Sequence, residues 1–162
     1  MLRIWFYDPS SDKEGIVNKL VSYFDGPFCH CEIQFENDAA CSIVMGNKTR
    51  MCIRKFDKSA YTCVHVPCNR ISHDLAYSCA VNKYHEAQQF SIMGMLGAGY
   101  QRDACEDDRT FCSKLCVEIL QAANLFNPKL KAASISPSRL HALLQQSNAE
   151  TKNVKVQAIG FK

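Results

Sequence analysis

Asp108-Arg109-Thr110-Phe111-Cys112-Ser113-Lys114-Leu115-Cys116-Val117-Glu118-Ile119-Leu120 holds the helix around which the rest of the chain is arranged. After a polar lead-in, the apolar residues Leu115, Val117, Ile119, Leu120 and Ala123 fall at helical spacing. Thr110 or Asp108 stands where a side-chain oxygen accepts bonds from the first, otherwise unpaired amides. Cys112 therefore lies in or near the first turn, where free N–H groups and the positive dipole end favour a thiolate over a thiol. A cysteine so placed is a candidate nucleophile, and the amides around it are a candidate oxyanion site. What such a helix needs from the rest of the chain is a base.

Length and composition bound the answer. The 162 residues make one domain, long enough to bury a core, and the 47% hydrophobic and 22% charged content is that of a soluble globular protein. The net charge of +3 is modest, and no stretch has the dense Lys/Arg packing of a nucleic-acid arm. No apolar run approaches the ~18–20 residues of a membrane span. The first residues, Met1 to Pro9, turn polar too soon for a signal peptide, which predicts a cytoplasmic protein. The ten cysteines contain no Cys-x-x-Cys pair, and most sit in apolar patterns such as Met51-Cys52-Ile53. Reduced, mostly structural cysteines are the expectation, with neither a disulfide framework nor a metal site. Cys29-His30-Cys31 is too tight for structural zinc, because neighbours on a strand point to opposite faces.

In chain order, Leu2–Tyr7 reads as a strand ended by Asp8-Pro9-Ser10-Ser11. Ser11 and Glu14 have capping-box spacing ahead of an amphipathic helix through Phe24. Asp25-Gly26-Pro27 breaks it, and Phe28–Glu36 then alternates, with Phe28, His30, Glu32 and Gln34 on one face. Short strands follow at Cys41–Met45 and Thr49–Phe56, joined through Gly46-Asn47, and another at Tyr61–Pro67. Asn69–Ser72 reads as a turn before a helix through Ala76, Ala80 and Tyr84, capped by Ser72 or Asp74. Three glycines make Phe90–Gln101 look broken or irregular. The central helix stops near Asn124, a last helix covers Pro137–Gln146 with Pro137 in its first turn, and Val154–Phe161 reads as a final strand.

Among the five histidines, His30 is the best base for Cys112: it lies on a strand after a Gly-Pro break, on a polar face, with Glu32 two residues on. His65 sits between Val64 and Val66 on a core-like strand, and His73, His85 and His141 fall on helix starts or surfaces. Spacing alone fits a structural role for His30 as well as a catalytic one, and fits Cys112 as a buried helix cysteine.

A resemblance adds to this. Strand, helix, break and then Phe28-Cys29-His30-Cys31-Glu32-Ile33 resemble the N-terminal half of the circularly permuted NlpC/P60 proteins, in which the histidine strand precedes the cysteine helix. Thr110-Phe111-Cys112-Ser113-Lys114-Leu115-Cys116 looks like the aromatic-Cys-Ser-Glu-Leu-Val segment of their YiiX-like and poxvirus G6-like branch. Met95–Tyr100 is similar to its Gly-x-x-Tyr stretch, and Ser134–Leu140 to its Ser/Thr-Pro-x-x-Leu helix start. The likeness covers roughly residues 2–146, as order and pattern more than as identity.

The resemblance implies an α+β fold of permuted papain-like type, one domain over residues 1–162. A small antiparallel sheet carrying His30 would pack against a helix carrying Cys112 at its N-terminus. It implies a cysteine hydrolase (amidase or peptidase) or acyltransferase, working through a thioester on amide or ester bonds of peptides or lipids, with no cofactor and no metal. The family's third position, a polar residue about a dozen residues after the histidine, matches Ser42 here, while Glu32 stands where the family usually has a small residue. Either Glu32 or Ser42 would orient the imidazole. Lys114 replaces an acidic residue and would support a thiolate if its ammonium reached back. Substrate choice would fall to Gly94–Gln101 and Arg102–Asp108. The rival reading is a weakened relative used as a protein-binding module, such as a viral host-interaction protein. No nucleic-acid partner and no transmembrane anchor are expected; peripheral membrane contact and oligomeric state stay open.

Overall fold

In the computed structural model, residues 1–11, 26–101 and 109–159 are described. The expected helix ending at Phe24 and the Asp108 cap lie outside them.

The chain folds as α+β around β1 (Leu2–Tyr7), whose aliphatic and aromatic residues alternate between two faces. Leu2, Ile4 and Phe6 are fully buried on one of them. On one side β1 pairs antiparallel with β2 (His30–Gln34), from Arg3↔Gln34 to Tyr7↔His30. On the other it pairs with β5 (Tyr61–Val66). With β3 (Ala39–Ser42) and β4 (Arg50–Ile53) the order is β4-β3-β2-β1-β5, antiparallel throughout. Helices α1 (Arg70–Glu86), α2 (Ile92–Gly99), α3 (Cys112–Ala122) and α4 (Pro137–Ile159), a short parallel pair, β6 (Gln89–Phe90) and β7 (Arg109–Thr110), and single 3-10 turns at Pro9–Ser11 and Ala132–Ser134 complete the described elements.

The inner face of the sheet meets α3 in one core. Cys31, Ile33 and Phe35 of β2 and its exit pack with Leu115, Cys116, Ile119 and Leu120, all fully buried. The outer face is covered too. The Trp5 ring stacks on Phe56 at 4.7 Å, and its Nε1 donates to Gln34 Oε1 at 2.8 Å. Gln34 Nε2 in turn donates to the Arg54 carbonyl at 2.8 Å. The polar face of β2 is thus a buried, hydrogen-bonded layer under residues 54–61, and not a solvated surface. Among the described residues no helix is long and apolar enough to cross a membrane.

Several elements differ from expectation. Asn69–Ser72 is no separate turn: Asn69 caps α1, its side chain accepting from the Ser72 amide at 2.8 Å, so the helix starts at Arg70. Ile92–Gly99 is helical despite its glycines, because Ser91 caps it through the Gly94 amide. β3 ends at Ser42, before the expected Met45. The expected final strand at Val154 is helix through Ile159, since nothing after Pro137 interrupts α4 before Gly160. Thr110 lies in β7, and the N-cap of α3 is Phe111, which makes no side-chain cap bond.

Candidate active site

His30 opens β2, and two elements fix where that strand begins. Phe28 is clamped to the start of α4: its amide donates to Ser138 Oγ at 3.1 Å, and Ser138 Oγ donates back to the Phe28 carbonyl at 3.2 Å. The His141 ring of α4 lies 4.6 Å from the Phe28 ring and 5.0 Å from that of Phe6. Gly26 enters this clamp at φ +110°, where a Cβ would come within 3.1 Å of Ser138 Cβ. The break before the strand is therefore shaped against α4.

Cys112 is the first residue of α3, delivered there by β7 and by Phe111, which is fully buried. The first α-helical bond runs from the Leu115 amide to the Phe111 carbonyl at 2.9 Å. The amides of Cys112, Ser113 and Lys114 consequently have no carbonyl within their own helix. The Cys31 thiol donates to Cys116 Sγ at 3.8 Å, and Cys112 is close enough to the Cys31 side chain and backbone and to His30 for all three to act on its ionisation. His30 and Cys31 point to opposite faces of β2, so a sulfur that meets both sits at the strand's edge. That edge is open here: β2 pairs with β3 only at Ile33↔Cys41 and Gln34↔Ala40, leaving His30 and Cys31 beyond the ladder.

Each partner favours the charged form of the other. The hydrogen bond from the Cys31 side chain, with those of His30 and the Cys31 backbone and the His30 charge, holds the Cys112 thiol well below its ordinary range against the effect of burial. Burial opposes charge on His30 as well, yet the bonds to Cys112 and Glu32 and their charges push its pKa up to about 10. Burial drives Cys31 the other way, so it remains a thiol and donates. Both shifts favour a thiolate–imidazolium pair at the first turn of α3.

Glu32 lies behind His30. Its Oε1 is 3.3 Å from His30 Nε2 and 2.7 Å from an Arg54 nitrogen. With Nε2 on Glu32, Nδ1 is the ring nitrogen left for the sulfur. Arg54 is held in turn by the Tyr61 hydroxyl at 3.0 Å and over the Phe56 ring at 5.0 Å. Ser42 is not against the imidazole: its Oγ accepts from Arg50 Nε at 2.9 Å. Lys114 does not reach back to the sulfur, because its ammonium donates to the Arg109 carbonyl at 2.9 Å and faces Glu118 at 3.8 Å.

The other histidines serve elsewhere. His65 is exposed and its carbonyl accepts from Asn148, His73 stands edge-on to Phe35, and His85 adjoins Tyr84. Sequence reasoning missed Arg50, Arg54 and the Cys31 thiol. A buried carboxylate beside a histidine needs a cation, which was a signal for the arginines; nothing in the pattern singled out Cys31. The nine described cysteines are all free, and no cluster of three or more metal-ligating side chains occurs among the described residues. Of the segments expected to choose substrate, residues 92–99 are helical and 102–108 lie outside the described residues.

Compared with known proteins, the chain matches no family model, no curated protein and no solved structure.

Proposed function

We propose that this protein is a cysteine hydrolase or acyltransferase of permuted papain-like, NlpC/P60 type, acting on amide or ester bonds. The observation that carries the reading is the juxtaposition of Cys112, His30 and Glu32, with the sulfur on the first residue of a helix. An antiparallel sheet bearing the histidine, packed on a helix bearing the cysteine, is the arrangement such chemistry uses.

The Cys112 thiolate attacks a carbonyl carbon, forming the C–S bond while the carbonyl π electrons move to oxygen. The Cys112 amide, without a partner in its helix, stabilises that oxyanion. As the intermediate collapses, the bond to the leaving nitrogen or oxygen breaks and the His30 imidazolium supplies its proton. The neutral imidazole then takes a proton from water or another acceptor, which attacks the thioester and frees the thiolate. Glu32 fixes the ring and balances its charge. Peptides and lipids both carry suitable bonds.

Iodoacetamide labelling at pH 6 with mass mapping tests this. Cys112 is expected to react ahead of exposed Cys52, and His30→Ala to abolish the preference. Labelling ordered by exposure alone, Cys52 before Cys112, overturns the catalytic reading and leaves the binding-module alternative.

A further inference from the structure

Arg50 is the cation of the site that nothing in the mechanism uses. It stands on β4 opposite Ser42, and Ser42 Oγ accepts its Nε at 2.9 Å. Its second polar contact, from a terminal nitrogen to Glu32 Oε1, is 3.8 Å long, beyond hydrogen-bond distance. Glu32 has a closer partner in Arg54 at 2.7 Å. The Arg50 side chain is 41% exposed where that of Glu32 is 1% exposed, so a part of its side chain is open to a ligand.

The charges of the site leave a surplus. The Cys112–His30 pair is neutral overall wherever its shared proton sits. Glu32 contributes one negative charge, and Arg54 and Arg50 one positive charge each. Among these described residues one positive charge is left over, and Arg50 is the exposed group that carries it.

Resting on the catalytic reading above, we infer that Arg50 is a substrate-binding residue, selecting acyl substrates that carry a carboxylate near the scissile carbonyl. Its guanidinium takes the carboxylate in the two-bond geometry that arginine favours. Ser42 has a role here too: its Oγ accepts from Arg50 Nε and so orients the fork, while its hydroxyl also supports the Glu32 carboxylate.

The test compares two alkylating agents of Cys112 that differ only in charge, N-iodoacetylglycine and its uncharged amide. In each reaction sulfur bonds to the methylene carbon and iodide leaves. At low ionic strength the full-length protein is expected to favour the carboxylate by about three- to tenfold, as one unscreened charge at short range requires. Arg50→Gln is expected to bring the ratio to about one, and Arg50→Lys to keep part of the preference, since it restores charge without the fork. A ratio near one in the unaltered protein overturns the inference, as does a preference that survives Arg50→Gln. If Cys112 reacts selectively but without charge preference, the inference alone fails. If Cys112 shows no selective reactivity with either agent, the catalytic reading fails and takes this one with it.

Discussion

A carboxylate buried as deeply as that of Glu32 ordinarily gives up its charge, because leaving water penalises the ion. Here burial is outweighed by the His30 hydrogen bond and charge and by the Arg54 guanidinium, and the Glu32 carboxyl stays below its ordinary value. The charge acts in return on His30, and through it on Cys112. Glu32→Gln keeps the shape and removes the charge, so the imidazolium loses support and the thiol is less readily ionised. The alkylation rate of Cys112 at pH 6 is expected to fall on the order of tenfold, with the pH–rate profile moving to higher pH. An unchanged profile would mean that Glu32 serves only to neutralise Arg54. The partnership with His30 was legible because residues two apart on a strand share a face. The choice between Glu32 and Ser42 was not, since it depends on Arg50 holding Ser42, and a strand pattern says nothing about side chains from another strand.

Helix α3 begins without a side-chain cap from its N-cap residue. A Ser, Thr, Asp or Asn at its N-cap would contribute about 1 kcal/mol by satisfying a first-turn amide. Phe111 stands there instead, fully buried, and makes no side-chain cap bond. The helix is held by its packed side, with Leu115, Cys116, Ile119 and Leu120 against the sheet. Leu115→Ala is expected to cost about 3 kcal/mol, within the ~2–5 kcal/mol of buried leucine truncations, read by denaturant unfolding with the slope unchanged. A loss below about 1 kcal/mol would mean that α3 is less tightly docked than its burial indicates. Apolar spacing revealed this helix and its stop near Asn124. The same reasoning failed for the glycine-containing α2, where a single capping serine decides, and for residues 154–159, where local alternation yields to a helix already propagating from Pro137.

At the scale of the whole molecule, the site is a weld between sheet and helix, so its protons belong to the folding equilibrium. Unfolding separates Cys112 from His30 and returns them to ordinary values of 9.0 and 6.5. His30, raised to about 10, contributes stability that is complete below pH 6.5 and lost as pH rises toward 10. Cys112, lowered, contributes stability present above pH 9.0 and lost as pH falls through its folded value. Between pH 6.5 and 9.0 the two slopes cancel, because folded pair and unfolded chain each hold one proton. From pH 9.0 to about 10 the folded pair keeps a proton that the unfolded chain has lost, and about 1.4 kcal/mol of stability should disappear. The difference in unfolding free energy between the protein and the His30→Ala/Cys112→Ala double variant isolates this contribution. It should be flat from pH 6.5 to 9.0 and decline on both sides. A curve without the alkaline decline would mean that the two groups titrate independently. A neutral thiol–imidazole pair would give the same curve, since it too holds one proton. The location of that proton is decided by alkylation: a thiolate reacts at pH 6, where a thiol does not.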